Sequence, residues 1–276
     1  MSKKLCILVS LILVVGLVSN AFGAFAYTYT GAAGNGMWCD GANWDMGTPP
    51  DSGSGDVFFD AATRGSLITI CAGCDASCAF GNTYGTIFGP EFGTDLDIYG
   101  TLTYPWYMAA VNNNPDDRTV INMYDGSYIK GEGVAIGDTW WWSGGPLVTM
   151  NLYGGLADLN WIWIGGQLNV SGGTMSIPGG VAMSGNIADD LIGIDVRGSG
   201  KLILPNAFTV TVEDWITRGI LTAYGYTPGG PEGYFINIDT TSMPGRTIVT
   251  AGCIPEPATI ALLGLGGLAL IRRKRS

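Results

Sequence analysis

At 276 residues the chain is long enough for one medium domain, and its 47% apolar and 11% aromatic content supplies ample surface to bury. That excludes a disordered chain, although 44 glycines and only 13% charged residues depart from ordinary usage. The net charge of −10 is unevenly placed: six basic residues lie at the two termini, and the stretch between holds 7 basic against 23 acidic residues, a net of −16, which argues against a nucleic-acid partner.

The N-terminus begins Met1-Ser2-Lys3-Lys4 and continues as an apolar run from Leu5 to Val18. Ala24-Phe25-Ala26 then forms a small-x-small cleavage site before Tyr27. These charged, apolar and cleavage regions, in that order, predict a short helical signal peptide over residues 1–26, removed by signal peptidase after Ala26.

Residues 27–96 are expected to form an N-terminal capping β segment. Trp38, Asn43-Trp44, Pro49-Pro50 and Asp56-Val57-Phe58-Phe59 resemble the opening segment of many bacterial exported β-helical repeat proteins. From 97 to 218 short alternating runs dominate, among them Thr119–Tyr124, Val148–Tyr153, Gln167–Ser171, Gly193–Arg197 and Phe208–Val212. Alternation places apolar side chains on one face of a strand, so an all-β body follows.

A degenerate repeat runs through these strands. Asp97-Ile98-Tyr99-Gly100, Asn122-Met123-Tyr124-Asp125-Gly126, Asn151-Leu152-Tyr153-Gly154-Gly155, Asn169-Val170-Ser171-Gly172-Gly173 and Asp195-Val196-Arg197-Gly198-Ser199 align at intervals of 25, 29, 18 and 26 residues. Such spacing predicts the rungs of a right-handed parallel β-helix, a β-solenoid, whose loops vary in length; a β-sandwich is the alternative. Residues 219–254 are expected to supply C-terminal capping strands, since the open end of a solenoid must be covered.

The chain ends in Pro255-Glu256-Pro257, an apolar run from Ala258 to Ile271, and the basic cluster Arg272-Arg273-Lys274-Arg275. As a helix the 14-residue run reaches about 21 Å, short of the ~30 Å hydrocarbon core, so a transient span is expected with its basic end in the cytoplasm. Residues 255–276 resemble the PEP-CTERM sorting domain. The resemblance implies export by a Gram-negative bacterium, processing near the motif by an exosortase, and passage from the inner membrane to the cell surface or extracellular matrix, with extracellular polysaccharide a candidate partner.

Histidine is absent, which removes Ser-His-Asp and Cys-His triads and the commonest transition-metal ligand. Catalysis would rest on paired carboxylates, as in many polysaccharide-active enzymes; Asp95 with Asp97, Asp116 with Asp117 and Asp189 with Asp190 are the candidates. Each pair lies near turn-forming residues, and the structural reading is favoured. The body is therefore expected to be non-enzymatic, with no obligatory cofactor. Asn112, Asn114, Asp116 and Asp117 form an oxygen-rich loop suited to Ca²⁺, without the spacing of a defined calcium motif.

Cys39, Cys71, Cys74 and Cys78 are candidates for one or two disulfides in an exported chain, with Cys253 the natural odd thiol. Trp140, Trp141 and Trp142 are candidate sugar-stacking rings. Trp161 and Trp163 share one strand face if extended, and a place inside the solenoid core is favoured for such aromatics. The functional expectation is an exported structural or adhesive surface protein. A β-helical polysaccharide enzyme and a non-catalytic carbohydrate-binding module are the alternatives.

Overall fold

The structure is a computed structural model that describes residues 27–51, 57–59, 66–77, 87–88, 95–105, 107–110, 119–137, 148–183, 193–227 and 233–253. These residues form a β-solenoid. The chain alternates between two sheets, and equivalent strands of successive rungs pair in parallel. Parallel pairing of successive rungs sets the sandwich alternative aside, because sandwich sheets are antiparallel.

The second sheet is the more regular. It stacks Leu67–Ile70, Asp95–Ile98, Thr119–Met123, Val148–Leu152, Gln167–Val170, Gly193–Val196 and Leu221–Ala223 in chain order. The repeat read from the sequence is the register of this stack: Asp97 pairs with Asn122, Asn122 with Asn151, Asn151 with Asn169, and Asn169 with Asp195. The uneven repeat intervals are absorbed elsewhere, in the connections.

After each Asx the chain turns into the first sheet. Its central members are Tyr128–Ile136 and Leu156–Ile164, joined in register from Tyr128↔Leu156 to Ile136↔Ile164. The turn demands glycine. Gly155 and Gly173 have φ of +74° and +63°, where a side chain is strained, and a Cβ on Gly155 would run into the Ser127 carbonyl below it.

Alternation then does what the sequence requires. Leu96 and Ile98, Ile121 and Met123, Met150 and Leu152, Leu168 and Val170, and Ile194 and Val196 all point inward and are buried. Ile129, Ala157, Leu159, Met175, Leu202 and Leu204 meet them from the first sheet. Each fully buried aliphatic side chain of this kind contributes roughly 1.5–3 kcal/mol relative to exposure. A single rung could not bury that surface alone; its neighbours cover it.

Both ends are covered. At the N-terminal end Tyr29, Trp38, Trp44 and Phe59 pack edge to face, with Trp38 and Trp44 centroids 4.8 Å apart. Asn43, fully buried beneath them, donates to Asn35 Oδ1 and the Met37 carbonyl and accepts from the Ala33 N–H. At the other end a helix, Thr209–Thr217, lays Val212 and Trp215 against the core. The hairpin Tyr234–Asp239 and Arg246–Cys253 then closes the first sheet by antiparallel pairing to Lys201–Pro205.

The helix is a correction. Phe208-Thr209-Val210-Thr211-Val212 alternates as a strand should, but Val210 is 74% exposed while Val212 and Trp215, three residues apart, are buried. A short run cannot fix its own period; burial of one helical face against the last rung decides it.

Candidate functional site on the outer face of the second sheet

The Asx residues at the centre of each rung point away from the core and bond to one another. Asn122 Nδ2 donates to Asp97 Oδ1 at 2.8 Å, Asn151 Nδ2 to Asn122 Oδ1 at 2.9 Å, and Asn169 Nδ2 to Asn151 Oδ1 at 2.8 Å. Asn122 and Asn151 thus donate down the stack and accept from the rung above, while Asn169 Oδ1 accepts from Gln167 Nε2 of its own strand at 3.1 Å. Asp97 suits the bottom of the ladder, since a carboxylate only accepts. Asp95 on the same face accepts from the Val120 N–H at 2.8 Å. The Asp95 and Asp97 carboxylates therefore serve neighbouring rungs.

At the top of the stack lies Asp195, a buried carboxylate. One oxygen accepts from Thr222 Oγ1 at 2.9 Å and the Gly225 N–H at 2.5 Å; the other is gripped by the Arg197 guanidinium. Beside it opens a cleft of about 530 Å³ lined by Gln167, Asn169, Asp195, Arg197, Arg218 and Thr222, with glycines in its walls. Arg218 also bonds Asp214 at 3.2 Å. Both guanidinium groups of the cleft are engaged by carboxylates, so it offers hydrogen-bonding groups more than net charge.

Two residues beyond Asp97, Asn122 and Asn151, on the same face, Tyr99, Tyr124 and Tyr153 form a second column. Tyr99 and Tyr124 stack with centroids 4.2 Å apart and planes 4° from parallel, and Tyr153 continues the column at 5.5 Å. Tyr99 and Tyr153 are 38% and 50% exposed, so the column presents ring edges and faces to solvent. Burial between its neighbours, a hydrogen bond with Tyr99 and the nearby Asp97 charge push the Tyr124 phenol up to about 12.

On the opposite sheet Trp161 and Trp163 also face outward, stacked at 6.5 Å, with Trp161 38% exposed. They lie outside the core, contrary to the placement favoured from the sequence. The reason is the strand's phase: Ile162 and Ile164 take the inward positions. The sequence reading missed the tyrosine column, although its signal was present: all three tyrosines stand inside the aligned repeats. The cleft left no such signal, because it gathers residues from three rungs and the C-terminal cap.

Cys39 and Cys74 are joined as a disulfide with Cα atoms 6.5 Å apart, and Cys71 lies beside them. Among the described residues these three sulfurs are the one group of three metal-ligating side chains close enough to share an ion. Cys253 is an exposed thiol. Cys78, Ala24, Ala26, the loop with Asn112, Asn114, Asp116 and Asp117, the triplet Trp140, Trp141 and Trp142, and the segment from Pro255 to Arg275 lie outside the described residues.

Comparison with known families adds the C-terminal address. Residues 254–275 match the PEP-CTERM protein-sorting motif. The chain carries a PEP-CTERM signal. This signal marks an exported protein, anchored transiently in the membrane and processed by an exosortase. No curated protein and no solved structure matches the chain. No helix among the described residues is long and apolar enough to cross a membrane, and the apolar run of the PEP-CTERM signal falls outside them.

Proposed function

We propose that the protein is a structural and adhesive component of the Gram-negative cell surface or extracellular matrix, delivered there through its PEP-CTERM signal. The observation that carries this reading is the union of an export-and-sorting address with a solenoid whose outer face displays ordered rows of tyrosine and asparagine. A stack of rungs is a stiff, elongated surface, suited to repeated weak contacts. Tyrosine faces stack on apolar sugar faces, and amide side chains bond hydroxyls on either side. The near-neutral cleft beside Asp195 favours a hydroxyl-rich ligand over a charged one. These features support polysaccharide as the contact.

The cleft is a poor site for acid–base turnover. Its single carboxylate, Asp195, is saturated by Arg197, Thr222 and Gly225, whereas glycoside hydrolysis calls for two carboxylates flanking the bond. The reading is tested by placing an epitope tag after Ala26 and fractionating cells of the source bacterium. Tagged protein at the surface or in the matrix, lost from there when residues 255–276 are deleted, is the expected result. Tagged protein retained in the cytoplasm would sink it. Release of reducing ends from purified polysaccharide, abolished by Asp→Asn changes, would instead establish an enzyme.

A further inference from the structure

We infer that Cys71 is an internal nucleophile for the Cys39–Cys74 disulfide, making the N-terminal end of the solenoid a thiol–disulfide exchange centre that delivers a reactive thiol to Cys39. This goes beyond the surface role proposed above and rests on different residues.

The geometry supplies the reaction path. The sulfurs of Cys39, Cys71 and Cys74 all lie within 4.8 Å of one another, and Cys71 is a free thiol, half-buried beside the bond. Exchange begins when a thiolate attacks one sulfur of a disulfide and expels the other. Burial decides which sulfur is attacked. Attack on Cys39 would expel a thiolate at Cys74, only 6% exposed, where the charge would lose its hydration. Attack on Cys74 expels Cys39, which faces water. The favoured step therefore forms Cys71–Cys74 and breaks Cys39–Cys74. The Cys71 proton passes to solvent, the released Cys39 thiolate takes one back, and no external oxidant or reductant is consumed.

The product is also sterically ready. Cys71-Ala72-Gly73-Cys74 is a tight turn in which the Cys74 N–H donates to the Cys71 carbonyl at 3.0 Å and Gly73 has φ +78°. The ends of such a turn lie within about 7 Å, inside or near the Cα range a disulfide spans. The cap need not detach meanwhile. The Trp38 N–H donates to the Thr69 carbonyl at 2.9 Å and the Thr69 N–H to the Gly36 carbonyl at 2.8 Å, so backbone bonds hold Cys39 in place. Freed there, the Cys39 thiol is available to a second disulfide-bearing molecule.

The test is alkylation mapping of the full chain recovered from cells without reductant. The protein is labelled with N-ethylmaleimide over a range of concentrations, digested, and its labelled and cross-linked peptides identified. Two mutually exclusive species are expected: one labelled on Cys71 with Cys39–Cys74 linked, and one labelled on Cys39 with Cys71–Cys74 linked. The second should grow as labelling is slowed, and Cys71→Ser should lower Cys39 labelling by at least about tenfold. The Cys39→Ser chain should be recovered with Cys71 and Cys74 joined. The inference is overturned if Cys39 stays unlabelled at the slowest labelling while Cys253 is fully modified. It is equally overturned if Cys71 is recovered linked to Cys78, or if Cys39→Ser leaves Cys71 and Cys74 as free thiols.

Discussion

Tyr29 carries a hydroxyl into the aromatic cap and finds no hydrogen-bond partner there among the described residues. Its ring is 1% exposed and packs on Trp44, so the ring stabilises while the oxygen costs. Burial, with the Asp40 charge second, pushes the phenol up to about 12. An unfolded tyrosine titrates near 10, so stability linked to Tyr29 is fully present below about pH 10 and drains away as pH rises toward about 12. Tyr29→Phe should therefore leave stability unchanged or raise it by up to about 1 kcal/mol at neutral pH, and flatten its decline above pH 10. Urea melts of both proteins at neutral and alkaline pH check this; a neutral-pH loss well above 1 kcal/mol would show a missing partner for the hydroxyl. Substitution at Asp195 has the opposite sign. Asp195→Asn keeps the shape but sets an N–H against a donor in either orientation, the Arg197 guanidinium or the Gly225 N–H, and a loss of about 1–3 kcal/mol is expected in the same melts.

At the level of strands and ladders, the asparagines are worth more together than apart. Removing the amide of Asn151 leaves Asn122 Oδ1 without its donor and Asn169 Nδ2 without its acceptor. Asn151→Ala should thus cost about 1–3 kcal/mol, whereas Thr149→Ala, on the same strand and face, should stay within about 0.5 kcal/mol. Comparable losses for the two would show that the ladder adds nothing beyond packing. In the C-terminal helix, Trp215→Ala should cost about 3–5 kcal/mol because it opens the last rung, and a much smaller loss would mean that the helix is not a structural cap. These elements also show what could be foreseen. The Asx–x–x–Gly signature predicted the register of the second sheet because every rung must turn at one place, and that constraint repeats in the chain. The helix Thr209–Thr217 was hidden by two threonines and two valines in alternation, a local pattern that the last rung overrides. The tyrosine column was overlooked although alignment of the Asx residues superimposes Tyr99, Tyr124 and Tyr153. The cleft was not legible, since nothing local ties Gln167 to Arg218 and Thr222.

For the molecule as a whole, stacking makes stability nearly one-dimensional, each rung depending on its two neighbours. Amide hydrogen exchange should be slowest in the central strands Val148–Leu152 and Leu156–Ile164 and faster toward both caps, and uniform protection would contradict a solenoid that opens from its ends. The last strand has a consequence of another kind. It ends at Cys253, and the sorting motif begins at residue 254. Fully extended, the chain from Cys253 to Pro255 spans at most about 7 Å. A processing enzyme is thus given almost no leash between the closed hairpin and the motif it reads. Where clearance as well as recognition limits release, so short a connection slows it. Inserting a short Gly-Ser spacer after Cys253 would speed processing without touching the motif, and pulse-chase of the tagged chain would reveal it; an unchanged rate would mean that the hairpin already yields.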